Sequence, residues 1–210
     1  MNLLVDVLLL IMSYIIGAFP TGLIVGKNIY GIDLREHGSK NIGATNALRV
    51  LGWKAGLGVF LIDVGKAAGA ILVVDLFTPE RITFLVLCGI AVLLGNFFNV
   101  FLGFKGGKGV AASLGVFLAL APKAVLIALA VFIVVLAVSR YVSLGSLTAA
   151  IAMPFLVYGF HGEGALLYMM IFVAALVIYK HRTNIVRLMQ GTETKMGKKK
   201  VRDQGAGGQG

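Results

Sequence analysis

A short basic, glycine-rich stretch between two apolar runs, Phe104 to Val110, has residue types suited to holding a phosphate group. Glycines let a backbone turn tightly and bring its N–H groups close to a ligand, and a helix starting near Val110 would add the positive end of its dipole. Lys105 and Lys108 add two positive charges. The stretch therefore predicts a phosphate loop. The alternative is a flexible cytoplasmic loop whose lysines only mark membrane topology.

A second polar stretch lies earlier in the chain, from His37 to Asn46, and Arg49 follows three residues later. Small hydroxyl and amide side chains are packed there between glycines, with basic residues close by, as a phosphate or polyol site requires. Arg49 can form two parallel hydrogen bonds with a phosphate, which a lysine cannot reproduce. The alternative is helix capping, for which four of these residues are suited: Ser39, Asn41, Thr45 and Asn46.

A third polar stretch, His181 to Lys195, follows the last apolar run. A helix continuing from that run would put Asn184 and Arg187 about one turn apart, with His181 near Asn184. A histidine beside arginines at a membrane boundary is commonly an interfacial residue with no chemical role. Here an amide and the Glu193 carboxylate accompany it, and this combination equally favours a functional role.

The composition of the 210-residue chain is that of a membrane protein: 59% of the residues are hydrophobic, 13% are charged and the mean hydropathy is +0.94. The first apolar run lacks a basic region ahead of it and carries Asp6, so we interpret it as a retained span and not a cleaved signal peptide. Cys88 is the only cysteine, which rules out an intrachain disulfide and a thiolate metal site.

Seven apolar segments predict an all-α, multi-pass membrane protein with seven transmembrane helices. They are residues 3–25, 55–74, 82–102, 110–121, 124–138, 142–160 and 164–179. A crossing takes about 20 residues, so the fourth and fifth segments either form a buried hairpin broken at Pro122 or extend into their flanking loops. We expect one membrane domain over residues 1–196 and a disordered, basic and glycine-rich tail over residues 197–210.

The basic residues are divided unevenly between the two sides of this arrangement. One side carries Lys27, Arg35, Lys40, Arg49, Lys54, Lys105, Lys108, Arg140, Lys180, Arg182, Arg187, Lys195, Lys198, Lys199, Lys200 and Arg202. The other carries Arg81 and Lys123. The positive-inside rule predicts an N-terminus outside and a C-terminus in the cytoplasm. The net charge of +10 is then mostly a topological signal, and we expect no nucleic-acid partner.

Asp63 and Lys66 are charged residues inside the second apolar segment, three positions apart and therefore on one helix face. An unpaired charge at the centre of a bilayer costs about 2.5–3.5 kcal/mol. We expect the two side chains to form an ion pair that fixes helix packing, and the alternative is a role in a site.

The three polar stretches together resemble the three cytoplasmic motifs of the bacterial acyl-phosphate-dependent glycerol-3-phosphate acyltransferases, the PlsY family. The matching segments are residues 38–49, 103–111 and 181–188, and Asp63 with Lys66 also matches the second span of the family. The resemblance extends from Ser13 to Lys195. Three long motifs in the right order between apolar spans are far more specific than any one of them.

The resemblance implies transfer of a fatty acyl group from acyl phosphate to the 1-hydroxyl of glycerol 3-phosphate, giving lysophosphatidic acid and phosphate, the first step of phospholipid synthesis. It implies a site on the cytoplasmic side of a bacterial inner membrane, in contact with membrane lipid and without a cofactor or metal. The implied catalytic residues are Ser39, Arg49, Lys105, His181 and Asn184. The implied substrate-binding residues are Lys40, Asn41, Thr45, Asn46, Gly106, Gly107, Lys108, Gly109, Arg187 and Glu193. A monomer would suffice, because seven helices can enclose a site.

The chain departs from the family pattern at two positions. Lys40 stands where the family usually has glycine, so the loop loses freedom of φ. Asn96 stands where the family usually has histidine, and an amide cannot act as a general base. Phosphate is already a good leaving group on a mixed anhydride. Catalysis can therefore rest on holding and neutralising two anions, with the proton accepted by a substrate phosphate.

A transporter or flippase for an organic phosphate is the main alternative, since basic loops and charges within a span would suit it. Against it, the polar motifs cluster on one side of the membrane and not at its midplane. The Gly-x-Ser-x-Gly motif of serine acyl-enzymes and the Walker A pattern are both absent, so no nucleotide is implied. A purely structural membrane subunit would leave the three stretches unexplained.

Overall fold

The computed structural model describes residues 3–197, and within this range every regular element is helical, which confirms the all-α prediction. Residues 198–210 of the predicted tail lie outside the described residues. The α-helices are α1 (Leu3–Ala18), α2 (Thr21–Ile24), α3 (Ala44–Leu51), α4 (Trp53–Phe77), α5 (Ile82–Phe97), α6 (Val110–Leu120), α7 (Pro122–Ser139), α8 (Val142–His161), α9 (Ala165–Lys180) and α10 (Arg182–Met189). A π-helical turn (Val25–Ile29) follows α2, and a 3₁₀ turn (Val100–Leu102) follows α5.

Each of the seven predicted apolar segments is helical, but the helices differ in their ability to cross a membrane. Four are long and apolar enough alone: α4, α5 with its 3₁₀ turn, α7 and α8. Two bent pairs meet the same test together: α1 with α2 and its π-helical turn, bent by 43°, and α9 with α10, bent by 58°. In contrast, α6 has only 11 residues. The described residues thus contain four to six candidate spans, and seven crossings remain a prediction.

Two prolines determine where apolar segments are interrupted. Pro122 is the first residue of α7, where its missing N–H has no helical partner to lose, so the fourth and fifth segments separate there. Pro20 breaks the first segment between α1 and α2, because a proline inside a helix removes a hydrogen bond and clashes with the preceding turn.

The break at Pro20 is held by the predicted ion pair on α4. Lys66 donates to the Phe19 carbonyl at 2.6 Å and pairs with Asp63 at 2.7 Å. Thr21 donates its hydroxyl hydrogen to Asp63 at 2.8 Å. The prediction that Asp63 and Lys66 pair is confirmed, and the pair fastens the broken first segment to α4.

Glycines bring two pairs of helix backbones into direct contact, α1 with α5 and α4 with α6. A Cβ added at Gly17 of α1 would lie 1.9 Å from the Val92 carbonyl oxygen, and one at Gly95 of α5 would lie 2.1 Å from that of Tyr14. Gly115 of α6 meets the backbone of α4 equally closely. Such contacts fix helix positions without a hydrophobic driving force between helices, as packing within a membrane requires.

Apolar side chains cover the outside of the bundle. Leu76, Val138 and Phe155 are 81%, 84% and 75% exposed, and many similar residues surround them.

Arg81 forms a two-fold ion pair with Asp6 at the start of α1, with both N···O distances at 2.9 Å. The opposite end of α1, near Phe19, faces the polar site described next.

Candidate active site

The three polar stretches meet around one cavity of ≈ 1040 Å³. Ser39 and Arg49 line it from the first stretch, Lys108 from the second, and His181 and Asn184 from the third. Residues more than 140 positions apart in the sequence therefore form one wall. No single motif predicts this wall, whereas the three motifs together do.

Most of the predicted site residues line this cavity, and three do not. The lining includes Ser39, Asn41, Thr45, Asn46, Arg49, Gly107, Lys108, Gly109, His181, Asn184, Arg187 and Glu193. Lys40, Lys105 and Gly106 are outside it. Lys40 and Lys105 are exposed on the surface, so the structure puts Lys108, and not Lys105, at the site as the cation of the glycine-rich stretch.

The α6 loop, residues 103–109, is shaped by its backbone. The Gly107 N–H donates to the Asn96 carbonyl oxygen at 3.0 Å. A Cβ at Gly106 would lie 2.0 Å from the same oxygen, so only glycine fits there. Gly109 has a φ of 74°, and a Cβ there would also strike the Phe97 ring at 2.4 Å. The loop is thus pressed against the end of α5, where Asn96 itself lines the cavity.

The α3 loop, residues 30–43, is shaped instead by the buried side chain of Asn46. Its Oδ1 accepts from the Ser39 N–H at 2.8 Å, and its Nδ2 lies within 3.1 Å of the carbonyl oxygens of Leu34, His37 and Asn41. The Asn46 amide is therefore engaged by the loop. Its predicted contribution to substrate binding has to act through the loop conformation.

The capping interpretation of the first stretch is not what the structure shows. The N-cap residue of α3 is Gly43, and no side chain caps this helix. Asn41 accepts instead from the Gly43 N–H at 2.8 Å, within the loop. The Ser39 hydroxyl has no hydrogen-bond partner among the described residues, and it stays available at the cavity.

Two helix N-termini face the cavity, those of α3 and α6. The first residues of both helices line it, and neither helix has a side-chain cap. The first-turn N–H groups of a helix lack partners within the helix, and the dipole makes this end positive. Two uncapped helix N-termini at one cavity are suited to bind anionic groups.

The third stretch is linked by polar contacts to the α6 loop and to α8. Lys108 donates to the Asn184 Oδ1, and Asn184 donates through Nδ2 to Glu193 at 2.7 Å. Arg187 pairs with Glu193 at 2.7 Å, and Ser143 of α8 donates to it at 3.0 Å. Glu193 therefore joins α8, α10 and, through Asn184, the α6 loop.

The electrostatics of the cavity favour an anion. Burial lowers the pKa of Lys108 to about 8; the Glu193 carboxylate opposes this shift, and the Arg187 and Arg49 guanidiniums add to it. Burial also raises the pKa of Glu193, but hydrogen bonds from Arg187, Asn184 and Ser143 outweigh it and leave that pKa below its usual value. Arg49 makes no hydrogen bond or ion pair with a described residue, so its guanidinium is free for a ligand.

His181 is buried at the bend between α9 and α10. Burial, followed by the charge of Lys108, lowers the pKa of this imidazole to about 4, so it is neutral near pH 7. Its Nδ1 lies 2.8 Å from the Val177 carbonyl oxygen, which can only accept, so Nδ1 carries the proton. The Nε2 atom is then an acceptor and a weak base.

Three residues that line the cavity were not predicted from the sequence as site residues. Ser143, Asn99 and Thr21 all line the cavity and are buried. Serine and threonine in apolar helices usually donate to the preceding turn, so their type alone does not predict a role in a site. Ser143 could have been found from its place in the first turn of α8, three residues after the basic Arg140.

A second, apolar cavity of ≈ 130 Å³ adjoins the polar one. Phe60, Val110, Phe132 and Ser146 line both cavities, and Ser113 of α6 lines the apolar one. Helices α4, α6, α7, α8 and α9 surround the apolar cavity. The pair of cavities offers a polar end for charged groups and an apolar end for an alkyl chain.

Within residues 3–197, no group of three or more His, Cys, Asp and Glu side chains is placed to hold a metal ion.

Comparison with known proteins identifies relatives that span nearly the whole chain. The family model described as glycerol-3-phosphate acyltransferase matches residues 7–191. The glycerol-3-phosphate acyltransferase of Fusobacterium nucleatum is 45% identical, over 89% of this chain and 95% of the relative. That of Geotalea daltonii is 47% identical, over 90% and 96%.

Solved structures show the same fold. A crystal structure of PlsY, an integral membrane glycerol 3-phosphate acyltransferase in its glycerol 3-phosphate form, superposes with a TM-score of 0.87. The sequences are 39% identical, and the match covers 92% of this chain and 96% of that one. The lysophosphatidic acid form of PlsY gives a TM-score of 0.85 at 38% identity. The chain belongs to the glycerol-3-phosphate acyltransferase family.

Proposed function

We propose that this protein transfers a fatty acyl group from acyl phosphate to the 1-hydroxyl of glycerol 3-phosphate, releasing phosphate and forming lysophosphatidic acid. The observation that carries the proposal is the single cavity with two uncapped helix N-termini and the cations Lys108, Arg49 and Arg187. Two anionic substrates need such a site, since their phosphates repel each other until they are neutralised.

The chemical step follows from the polarity of a mixed anhydride. The 1-hydroxyl oxygen of glycerol 3-phosphate bonds to the acyl carbonyl carbon, and the bond from that carbon to the phosphate oxygen breaks. The phosphate leaves with the electron pair and accepts the hydroxyl proton. Lys108, Arg49 and the two helix N-termini stabilise the negative charge throughout.

A substrate phosphate is a better proton acceptor here than the side chains at the cavity. Its second pKa is about 6, whereas the pKa of His181 is about 4. Glu193 is bound by three donors and Asp63 is paired with Lys66. In this scheme His181 Nε2 accepts a hydrogen bond that orients the attacking hydroxyl, and Asn96 supports the α6 loop through its carbonyl.

The proposed setting is a bacterial inner membrane, with the site on the cytoplasmic side, the N-terminus outside and the chain acting as a monomer. The support is the concentration of basic residues near the cavity. Seven crossings require α6 to serve as one, although 11 residues span only about 16 Å against roughly 30 Å of hydrocarbon. The loops flanking α6 would have to complete that crossing.

Phosphate release by the purified protein tests the proposal. We expect release from a synthetic acyl phosphate that depends on glycerol 3-phosphate. In Lys108→Met, kcat/KM should fall by at least about 100-fold, since a buried charge at the phosphate is lost. Lys105→Met is the matched control and should keep most of the activity. Absence of release from the wild-type protein, with uptake of glycerol 3-phosphate into vesicles, would favour a transporter.

A greater loss in Lys105→Met than in Lys108→Met would contradict the assignment of the phosphate loop while leaving the acyltransferase reaction in place. It would restore Lys105 to the catalytic role that the resemblance implies.

A further inference from the structure

Among the described residues, Ser113 Oγ is the one buried side-chain nitrogen or oxygen without a hydrogen-bond partner. Ser113 belongs to the start of α6, three residues after Val110, and lines the apolar cavity. A buried hydroxyl without a partner costs free energy, so such an atom requires an explanation.

Other hydroxyls in the apolar helices do not share this feature. Ser13, Ser146 and Thr148 each donate to the carbonyl oxygen four residues earlier, at 2.7, 2.9 and 3.0 Å. The equivalent oxygen for Ser113 is that of Gly109, which accepts the ordinary helical bond from the Ser113 N–H at 2.7 Å but no bond from the Ser113 hydroxyl. Ser113 therefore lines the apolar cavity with a hydroxyl that has no partner among the described residues.

Ser113 lies where the carbonyl oxygen of the proposed acyl phosphate substrate would be. Val110, at the N-terminus of α6, lines both cavities, and Ser113 is less than one helical turn farther along the apolar one. An acyl phosphate with its phosphate in the polar cavity and its chain in the apolar cavity has its carbonyl group between them. This carbonyl oxygen needs a donor at the boundary of the two cavities.

We propose that Ser113 donates a hydrogen bond to the carbonyl oxygen of the acyl phosphate, an inference that rests on the proposed function. When the 1-hydroxyl oxygen bonds to the carbonyl carbon, negative charge moves onto the carbonyl oxygen, and the Ser113 O–H stabilises it. The charge returns as the bond to phosphate breaks and the electron pair leaves with the phosphate. Ser113 forms no covalent bond, and the apolar surroundings strengthen its interaction.

Steady-state kinetics and ligand binding with Ser113→Ala test this inference. We expect kcat/KM for acyl phosphate to fall by about 10- to 100-fold, because one transition-state donor is lost. An alkyl phosphate of the same length lacks the carbonyl, so its inhibition constant should not change. The midpoint of thermal unfolding should stay the same or rise, since the substitution removes a buried hydroxyl without a partner.

Two further variants separate a donor from a packing residue. Ser113→Thr keeps the hydroxyl and should keep most of the activity. Thr148→Val is the matched control, because its hydroxyl donates to Leu144 and Gly145 and its side chain lines neither cavity. It should behave as the wild-type protein.

Three outcomes would overturn the inference. An unchanged kcat/KM in Ser113→Ala would show that the hydroxyl makes no contact in the transition state. A parallel weakening of alkyl phosphate binding would show that Ser113 only shapes the cavity. These first two outcomes leave the proposed function intact, because the wild-type protein is active in both. The third outcome, an inactive wild-type protein, would overturn the proposed function and this inference together.

Discussion

The α3 loop and the α6 loop lead into two helices whose N-termini face one cavity, yet they are held by different means. One side chain, Asn46, ties the α3 loop together through four hydrogen-bond contacts. The α6 loop is fixed by a backbone bond from Gly107 to Asn96 and by the absence of room for a Cβ at Gly106.

This difference shows which positions of each loop can change. A loop tied by one side chain tolerates substitutions that leave the tie undisturbed, which excludes Gly38, where a Cβ would lie 2.3 Å from the Asn46 Oδ1. A loop pressed against another backbone tolerates none at the points of contact. The departure of this chain from the family pattern at Lys40 falls in the α3 loop, where the side chain is exposed.

The largest effect that we expect comes from Gly106→Ala. The added Cβ would lie 2.0 Å from the Asn96 carbonyl oxygen, so the α6 loop has to move and lose its bond to Asn96. The activity should fall by at least about 100-fold, since the phosphate-binding geometry is lost. Gly65→Ala on α4, where a Cβ meets nothing within 4 Å, should be active. A Gly106→Ala variant with near wild-type kcat/KM would contradict this account of the loop.

The cation of the α6 loop, Lys108, can lose its proton near neutral pH, so we expect kcat/KM to depend on pH. Arg49, which follows the α3 loop, stays charged and should not contribute to this dependence. The Lys108 pKa of about 8 means that its amine is charged below this pH and neutral above it. We expect kcat/KM to fall about tenfold per pH unit above pH 8. The measurement is lysophosphatidic acid formation, corrected for spontaneous hydrolysis of the acyl phosphate.

Lys108→Arg is the control for this pH dependence. A guanidinium stays charged throughout this range, so the alkaline fall should disappear even if the overall rate is lower. A fall at the same pH in the arginine variant would assign the titration to another group.

A smaller effect is expected from removing the side chain that ties the α3 loop. Asn46→Ala leaves buried carbonyl and N–H groups without a partner and should lower the free energy of unfolding by about 2–4 kcal/mol. Asn41→Ala, which removes a single bond to Gly43, should cost about 1 kcal/mol. Thermal unfolding can be followed through the reactivity of the buried Cys88 thiol. Equal losses in the two variants would show that Asn46 has no special part.

The sequence predicts the composition of the site better than its geometry. The three polar stretches do meet, and Asp63 and Lys66 do pair, because motif order and helical spacing carry that information. The choice between Lys105 and Lys108 depends on the direction of a turn. Both lysines flank glycines, and the left-handed residues Gly103 and Phe104 that set this turn are not distinguished by their types.

The sequence also does not predict that Asn46 holds the α3 loop. A residue at the start of a helix can cap it, bind a ligand or hold a loop that precedes it, and the sequence is the same in each case. The Ser113 hydroxyl was equally hidden, since only the structure shows that it lacks the usual partner. The interruption at Pro20 follows from the residue type, but the bond from Lys66 that holds it depends on packing.

Lys40→Gly should give the smallest effect and the one opposite in sign. Lys40 has a φ of 58°, a left-handed conformation that costs a residue with a Cβ about 1 kcal/mol and costs glycine almost nothing. Glycine also gains freedom in the unfolded chain, so the net gain in stability should be below about 1 kcal/mol. Because Lys40 is outside the cavity, kcat/KM should not change. A substantial loss of phosphate binding in this variant would mean that the exposed ammonium reaches the substrate, and that the α3 loop, like the α6 loop, supplies a cation of its own.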